Sequence, residues 1–324
     1  MTKILAVFGA TGRQGGSVVN NVLADPEISQ QFRLRAITRD VSSEKIKELR
    51  ERGVEIVSGD ANDRSSLETA LHGVHTVFAM TAPAFGPDAF DVQVNSVKHI
   101  ADAAVAQGVE YIIFSTLPSV VDISGEKYKA VIPFDAKAKG EEYIRILPIK
   151  SAFISLGYFM DNFQSQPFLA PRPAPDGTWV MLRHTSPKEV LPFIDADADT
   201  GKFVTAILAE PDKFEGKRVH AAASLHTIEE VVDILAKTTE KKITFKLVSE
   251  KEMRAMLPDF AADIFIDAFN YGNEFGYFGP GTAELVADGA KLARGKLTTF
   301  EEYQQKHPLR LDDAQKGAWK HGGA

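Results

Sequence analysis

The chain has 324 residues, 44% of them hydrophobic, no cysteine, and a formal net charge of −7 at neutral pH. That size and apolar content support one large α/β domain with an appended lobe, or two modest domains, and argue against disorder. The acidic balance leaves no positive field for a phosphate backbone, so direct nucleic-acid binding is not expected, and the missing thiols exclude disulfides, thiolate nucleophiles and cysteine-based zinc sites.

In chain order, Lys3 to Phe8 is a short apolar run ending at a glycine loop, too brief for a signal-peptide core and read as a buried strand. Further strands are predicted at Arg33 to Ile37, Glu55 to Ser58, Thr76 to Ala79, Tyr111 to Ser115 and Ser151 to Leu156. They alternate with helical patterns, which predicts an α/β fold: a doubly wound parallel Rossmann sheet with crossover helices. Val18, Val19, Val22 and Leu23 give the first helix an apolar stripe, and Ser65-Ser66-Leu67-Glu68 reads as a capping box opening another.

After Leu156 the pattern changes. An aromatic and proline-rich stretch from Tyr158 to the turn Asp176-Gly177 reads as an irregular segment crossing the top of the sheet. Beyond it Val190 to Ile194 and Arg218 to Ala221 read as strands, and Thr227 to Glu230 and Ser249 to Glu252 as capping boxes that open helices. The expected division is a dinucleotide-binding domain over residues 1–156 and a smaller α+β C-terminal lobe over 157–324, parts of which return to the first domain. The tail after Leu309 is polar enough to fray. No stretch approaches the roughly 20 apolar residues of a membrane span, so no membrane partner is expected and a cytoplasmic or nuclear location is the simplest inference.

The loop Gly9-Ala10-Thr11-Gly12-Arg13-Gln14-Gly15 follows the first strand directly and opens the first helix. Gly9 suits the tight turn, Gly12 the approach of phosphates, and Gly15 the packing of helix on strand. Main-chain N–H groups and the positive end of the helix then converge where a pyrophosphate would sit. At the end of the second strand, Arg39, with Arg13 and Lys45 nearby, would offer donors to a 2′-phosphate and favour NADP(H) over NAD(H). The alternative is a solvated Arg39, with Asp40 accepting from a ribose hydroxyl. Asp60 and Ala61 follow the third strand beside the adenine site, where Asp60 either accepts from the exocyclic amine or caps the helix starting near Arg64. Thr81, Ala82 and Pro83 would run along the middle of the dinucleotide.

With these pieces placed, the chain resembles the NmrA-like family, an atypical branch of the short-chain dehydrogenase/reductase superfamily. The resemblance rests on Val7 through Gly16, Phe114-Ser115-Thr116-Leu117-Pro118, Phe134-Asp135-Ala136-Lys137, Gly157 through Phe163, and Leu191-Pro192-Phe193-Ile194-Asp195. It implies a Rossmann domain and a smaller lobe with the dinucleotide in the cleft between them, where Tyr158 and Asn162 from the lobe would face it. Two kinds of function follow from the family: dinucleotide sensors that regulate transcription factors by protein contact, and NADPH-dependent reductases.

Short-chain dehydrogenases use Tyr-x-x-x-Lys, in which lysine lowers the tyrosine pKa and orients the ribose. Lys137 stands at the lysine position, but Pro133 replaces the tyrosine and has no proton to give. Lys137 is therefore the one catalytic candidate, as a general acid/base of lowered pKa or as a donor to the nicotinamide ribose. Tyr128 and Tyr158 are alternative proton donors or packed aromatics. The missing donor favours a sensor with a regulatory protein partner over a reductase of a small carbonyl, enone or imine. A pocket-sized apolar cleft within reach of Lys137 or a tyrosine would favour the reductase, a filled cleft the sensor. Asp195-Ala196-Asp197-Ala198-Asp199 lacks the glycine and glutamate of a calcium loop and fits helix capping around Asp199-Thr200 better, so no metal is expected. Met160 and Phe163 line a pocket or fill the core. The expected assembly is a monomer or a homodimer.

Overall fold

The computed structural model describes residues 2–314. Six strands of the first half, β1 (Lys3–Phe8), β2 (Phe32–Thr38), β3 (Glu55–Ser58), β4 (Thr76–Ala79), β5 (Tyr111–Thr116) and β6 (Lys150–Leu156), coincide with the predicted ones to within a residue or two. Short strands follow at β7 (Tyr158–Phe159), β8 (Arg172–Pro173), β9 (Trp179–Arg183), β10 (Val190–Ile194), β11 (Arg218–Ala221), β12 (Ser224–Thr227) and β13 (Ile243–Leu247).

The central sheet has seven strands in the order β11-β6-β5-β4-β1-β2-β3, and every pairing in it is parallel. Its strand order reverses between β1 and β4, and in open parallel sheets such a switch point opens a crevice at the carboxyl ends of the strands. β4 and β5 are wholly buried and β1 is buried from Leu5 onward, as expected when helices cover both faces of a sheet. The first helix, Arg13–Ala24, lays Val18, Val19 and Val22 into that core.

The same helix meets Ala196–Ala209 at very short range. Gly201 donates its backbone N–H to Ser17 Oγ at 3.0 Å, and Asn21 Nδ2 donates to the Ala198 carbonyl at 3.1 Å. A Cβ at Gly201 would lie 2.3 Å from the Ser17 carbonyl oxygen, so only glycine permits this approach. Ala196–Ala209 and β11 thus pack onto the first-half sheet although they come late in the chain.

The remaining strands form two three-stranded sheets, β12-β10-β7 and β13-β9-β8. Together with Ile228–Thr239 and Ala262–Phe275 they enclose a second core around Phe163, Phe193 and Phe300. β9 and β13 pair in parallel inside stretches that the sequence pattern leaves unassigned or helical. The segment from Tyr158 to Gly177, expected to be irregular, holds two short strands and two short helices.

Two capping expectations need correction. The helix Arg64–Ala70 is capped by Asp63, whose side chain accepts from the Ser65 N–H, while Glu68 pairs with Arg64 instead of closing a box. Asp60 does not cap it either: its Oδ1 accepts from the Asn62 N–H at 2.9 Å. The boxes at Thr227/Glu230 and Ser249/Glu252 are present with both reciprocal bonds. Of the tail after Leu309, Leu311–Ala314 forms a short helix, with Leu309 and Leu311 buried in the second core; the rest lies outside the described residues.

Candidate functional site: a glycine loop and an apolar cavity

At the end of β1 the chain turns through Gly9 at φ +67°, the left-handed region that glycine occupies without strain. The Gly12 N–H donates to the Gly9 carbonyl at 2.9 Å, closing the turn. Gly15 then sits against β1: a Cβ there would lie 2.3 Å from the Gly9 carbonyl oxygen. Gly12 is the N-cap of the first helix and no side chain caps that end. The first-turn N–H groups therefore point toward the crevice with no helical acceptor of their own, an arrangement suited to an anion.

The neighbouring side chains divide into free and committed groups. Lys45 Nζ donates to the Thr11 carbonyl at 3.1 Å, so the lysine reaches the loop from the helix Glu44–Glu51. Arg39 is exposed and makes no ion pair among the described residues. Asp40 Oδ1 accepts from both the N–H and the Oγ of Ser42, at 2.8 and 2.6 Å, which hold its carboxyl below the usual range. Gln14 Oε1 accepts from Ser115 Oγ at 2.7 Å, tying the loop to the end of β5. Arg13 is ion-paired with Asp161. Burial pushes the Asp161 carboxyl up while Arg13 pulls it down. Arg13 thus bridges the loop to the segment after β7, a contact that competes with phosphate binding by the same guanidinium.

Asp60 and Ala61 follow β3, and the Ala61 carbonyl is 3.1 Å from His99 Nδ1. Thr81 follows β4; its Oγ1 is buried without a hydrogen-bond partner, while its carbonyl accepts from Lys137 Nζ at 3.2 Å. Ala82 and Pro83 continue that loop into solvent.

Lys137 lies on the helix Ile132–Arg145 and is only 6% exposed. Its ammonium donates to the Thr81 and Ser115 carbonyls, at 3.2 and 3.3 Å, and sits 5.9 Å from the centre of the Phe114 ring. Burial with no carboxylate partner lowers its pKa to about 8. An ammonium has three donors, so one remains after the two carbonyls are served. In the same motif Asp135 accepts from the Val121 N–H at 3.0 Å and steadies the loop after β5.

Beside this helix is a cavity of about 250 Å³, just below the roughly 300–1,000 Å³ usual for small-molecule sites. Pro83 and Pro133 line it from the sheet side, with Leu169, Leu191, Phe265 and Phe269 from the second core. Tyr158 and Asn162 also face it, as do Gln166, Arg183, Glu189, Tyr271 and Tyr277. The hydroxyls of Tyr158 and Tyr271 are buried without hydrogen-bond partners, and burial raises both pKa values.

Pro133 therefore borders the cavity but brings no donor. Tyr128 does not face it: its hydroxyl donates to Glu274 Oε2 at 2.8 Å. Met160 and Phe163 are core residues, Phe163 stacked on Phe193 at 6.3 Å. In the aspartate string Asp195 does the capping, accepting from the Asp197 and Ala198 N–H groups, not a group near Thr200. Asp199 instead pairs with Lys202 and accepts from the Thr298 N–H. Among the described residues no three metal-ligating side chains converge, and no helix is long and apolar enough to cross a membrane.

Sequence reasoning passed over Arg183, Glu189, Gln166, Tyr271 and Tyr277. The alternating Trp179–Arg183 segment was the available signal for a strand, but nothing local shows that its last residue faces a cavity.

Comparison with known proteins accords with this geometry. The model of the NmrA-like family matches residues 1–304. An NmrA-like family domain-containing protein of Dictyostelium discoideum is 28% identical over 318 residues, spanning 96% of this chain and 100% of the relative. FrzB, named as an NmrA-like family domain-containing oxidoreductase of Cladobotryum, is 29% identical across 97% of each chain. Among solved structures, NmrA, described as a negative transcriptional regulator in complex with NAD, superposes with a TM-score of 0.80 at 23% identity, covering 98% of this chain and 99% of that one. The NADP complex of NmrA gives 0.78 at the same identity, with 98% of each chain covered. The uncapped glycine loop, the parallel sheet and the family match lead to one assignment: the chain belongs to the NmrA-like family.

Proposed function

We propose that this protein binds NADP(H) across the carboxyl ends of β1, β2 and β4 and reduces a small, largely apolar carbonyl, enone or imine held in the adjoining cavity. The cavity is the observation that carries the reading. A protein that only sensed dinucleotides would have no use for a ligand-sized space lined by unpartnered hydroxyls beside the Lys137 helix.

The fit to the dinucleotide rests on the chain's own groups. The uncapped N–H groups after Gly12 would hold the pyrophosphate, and the close contact of Gly15 with Gly9 sets the helix start directly against β1. Arg39, exposed and without an ion pair among the described residues, and Lys45, already at the loop, would meet a 2′-phosphate. The orphaned Thr81 Oγ1 and the remaining donor of Lys137 would meet the nicotinamide ribose. NAD(H) would bind more weakly through the same loop. The NAD and NADP complexes of NmrA and the oxidoreductase name of FrzB are consistent with this reading.

NADPH held there would supply a hydride to the electrophilic carbon, and the substrate oxygen or nitrogen would require one proton. Pro133 cannot provide that proton, so it comes from Tyr158 or from solvent, with Lys137 orienting the ribose. On this view residues 1–156 supply most of the dinucleotide site and 157–324 most of the substrate wall.

A second reading, a dinucleotide-responsive regulator, is favoured by Pro133 and by the description of NmrA as a transcriptional regulator. An NADPH-oxidation screen over aromatic aldehydes, enones, quinones and cyclic imines separates the two. Turnover that disappears in Lys137→Ala, with dinucleotide binding retained, supports the reductase; dinucleotide binding without turnover of any class supports the regulator.

A further inference from the structure

The cavity contains one feature that a general apolar pocket does not require. Arg183, the last residue of β9, is 2% exposed, yet it makes no ion pair among the described residues. Its guanidinium makes one hydrogen bond, from Nη1 to the Leu182 carbonyl at 2.8 Å, and lies 5.1 Å from the centre of the Phe269 ring. A guanidinium carries five N–H donors, so most of its hydrogen-bonding capacity is uncommitted at the cavity wall. Burying a cation in this way is costly unless an anion joins it.

Glu189 is the only carboxylate among the lining residues, and it does not answer this need. Its Oε2 accepts from Thr185 Oγ1 at 2.5 Å, and although the nearby Arg183 charge pulls its pKa down, the two groups make no direct ion pair among the described residues. Burial also pushes its pKa up to about 7, which favours the neutral acid. Around the same space the hydroxyls of Tyr158 and Tyr271 and the Gln166 Oε1 are buried and unpartnered. Polar groups left open at an otherwise apolar wall point to a ligand that brings matching polar groups of its own.

We infer that the cavity selects planar apolar molecules bearing a carboxylate, and that Arg183 is the residue that binds that carboxylate. This deepens the reductase reading by naming its substrate class, an aryl or enoic acid with a reducible group. The fork of the guanidinium accepts a carboxylate in two parallel hydrogen bonds, which fixes the orientation of the attached ring as well as its affinity. The aromatic wall of Phe265 and Phe269 then packs against the ring faces. Selectivity arises because a neutral amide of the same shape leaves the buried guanidinium uncompensated.

The test uses the full chain saturated with NADP+ and pairs of isosteric probes: cinnamate with cinnamamide, and 2-naphthoate with 2-naphthamide. Affinities are read by ligand-observed NMR titration, independently of NADPH oxidation. The acids should bind at least about tenfold more tightly than their amides. That preference should vanish in Arg183→Met and survive in part in Arg183→Lys, which keeps the charge and loses the fork. Failure of both acids to bind, amides binding as well as acids, or an undiminished preference in Arg183→Met would overturn the inference. Should Arg183→Met not fold, the wild-type comparison and Arg183→Lys still decide. Acid-selective binding without any NADPH oxidation would keep this inference and remove the reductase reading. Turnover of neutral substrates with no acid preference would do the reverse.

Discussion

The glycine loop and the cavity lie against the same sheet but are built from different material. The loop from Gly9 to Gly15 is contiguous and offers main-chain groups; its side chains serve other purposes, Arg13 holding Asp161 and Gln14 holding Ser115. The cavity is assembled from several segments, of which the helix Ala262–Phe275 supplies the longest. It gathers Pro83, Pro133, Tyr158, Arg183, Phe269 and Tyr277 from segments far apart in the chain, and every function it offers is a side chain. A main-chain site depends on glycine spacing and tolerates little change. A side-chain site can be altered one residue at a time, which suits it to deciding which substrate is taken.

The sharpest way to break this contrast is at Gly15. Gly15→Val places atoms within the Gly9 turn, and overpacking of this kind costs about 1–3 kcal/mol of stability. It should weaken NADP+ binding by at least about a hundredfold, read by calorimetry, while leaving the cavity walls in place. Lys137→Met comes next. Losing a charged donor at the ribose should cost about 1.5–3 kcal/mol of transition-state stabilisation, seen as a fall in kcat/KM larger than the fall in NADPH affinity.

On the cavity side, Glu189 makes a pH prediction of similar size. Its pKa is raised from 4.5 to about 7 by burial, so the folded state holds a proton that the unfolded chain releases. The stability linked to it is complete below about pH 4.5 and is lost as pH rises through about 7, up to roughly 3 kcal/mol in all. Urea unfolding of wild type and Glu189→Gln across that window should show a steeper decline in the wild type; parallel profiles would place a charged Glu189 in the fold.

Arg39→Ala should weaken NADP+ binding by about 1–3 kcal/mol and leave NAD+ nearly unchanged. Equal losses for both would remove the 2′-phosphate assignment. The smallest effect is expected for Asp161→Asn, which frees Arg13 from a partly exposed ion pair and should change stability by less than about 1 kcal/mol. If the freed Arg13 turns to the phosphates, NADP+ affinity rises slightly.

This contrast also explains what could be read from the sequence. The first six strands and the glycine loop were legible because buried parallel strands are short apolar runs and the loop's glycines sit at fixed spacing. Lys137 was legible only through the motif around it; its two carbonyl partners, at Thr81 and Ser115, depend on how β4 and β5 end. The cap of the helix starting at Arg64 was misread because Asp63 and Ser65 both suit that role, and the choice rests on which backbone enters extended. β13 escaped because its partner β9 is distant in sequence, and β9 because its near partner β8 is only two residues long. Arg183 escaped with β9: an arginine ending a short strand looks like a surface charge until the helix Ala262–Phe275 is laid over it.

The account stands on the main-chain cradle at the start of the first helix. Calorimetric titration of the pure chain with NADP+, NADPH, NAD+ and NADH tests it most directly. The account predicts one site per chain, with the phosphorylated pair bound about tenfold or more tightly than the other and all binding lost in Gly15→Val. Absence of heat with all four dinucleotides, or binding undisturbed by Gly15→Val, would contradict it.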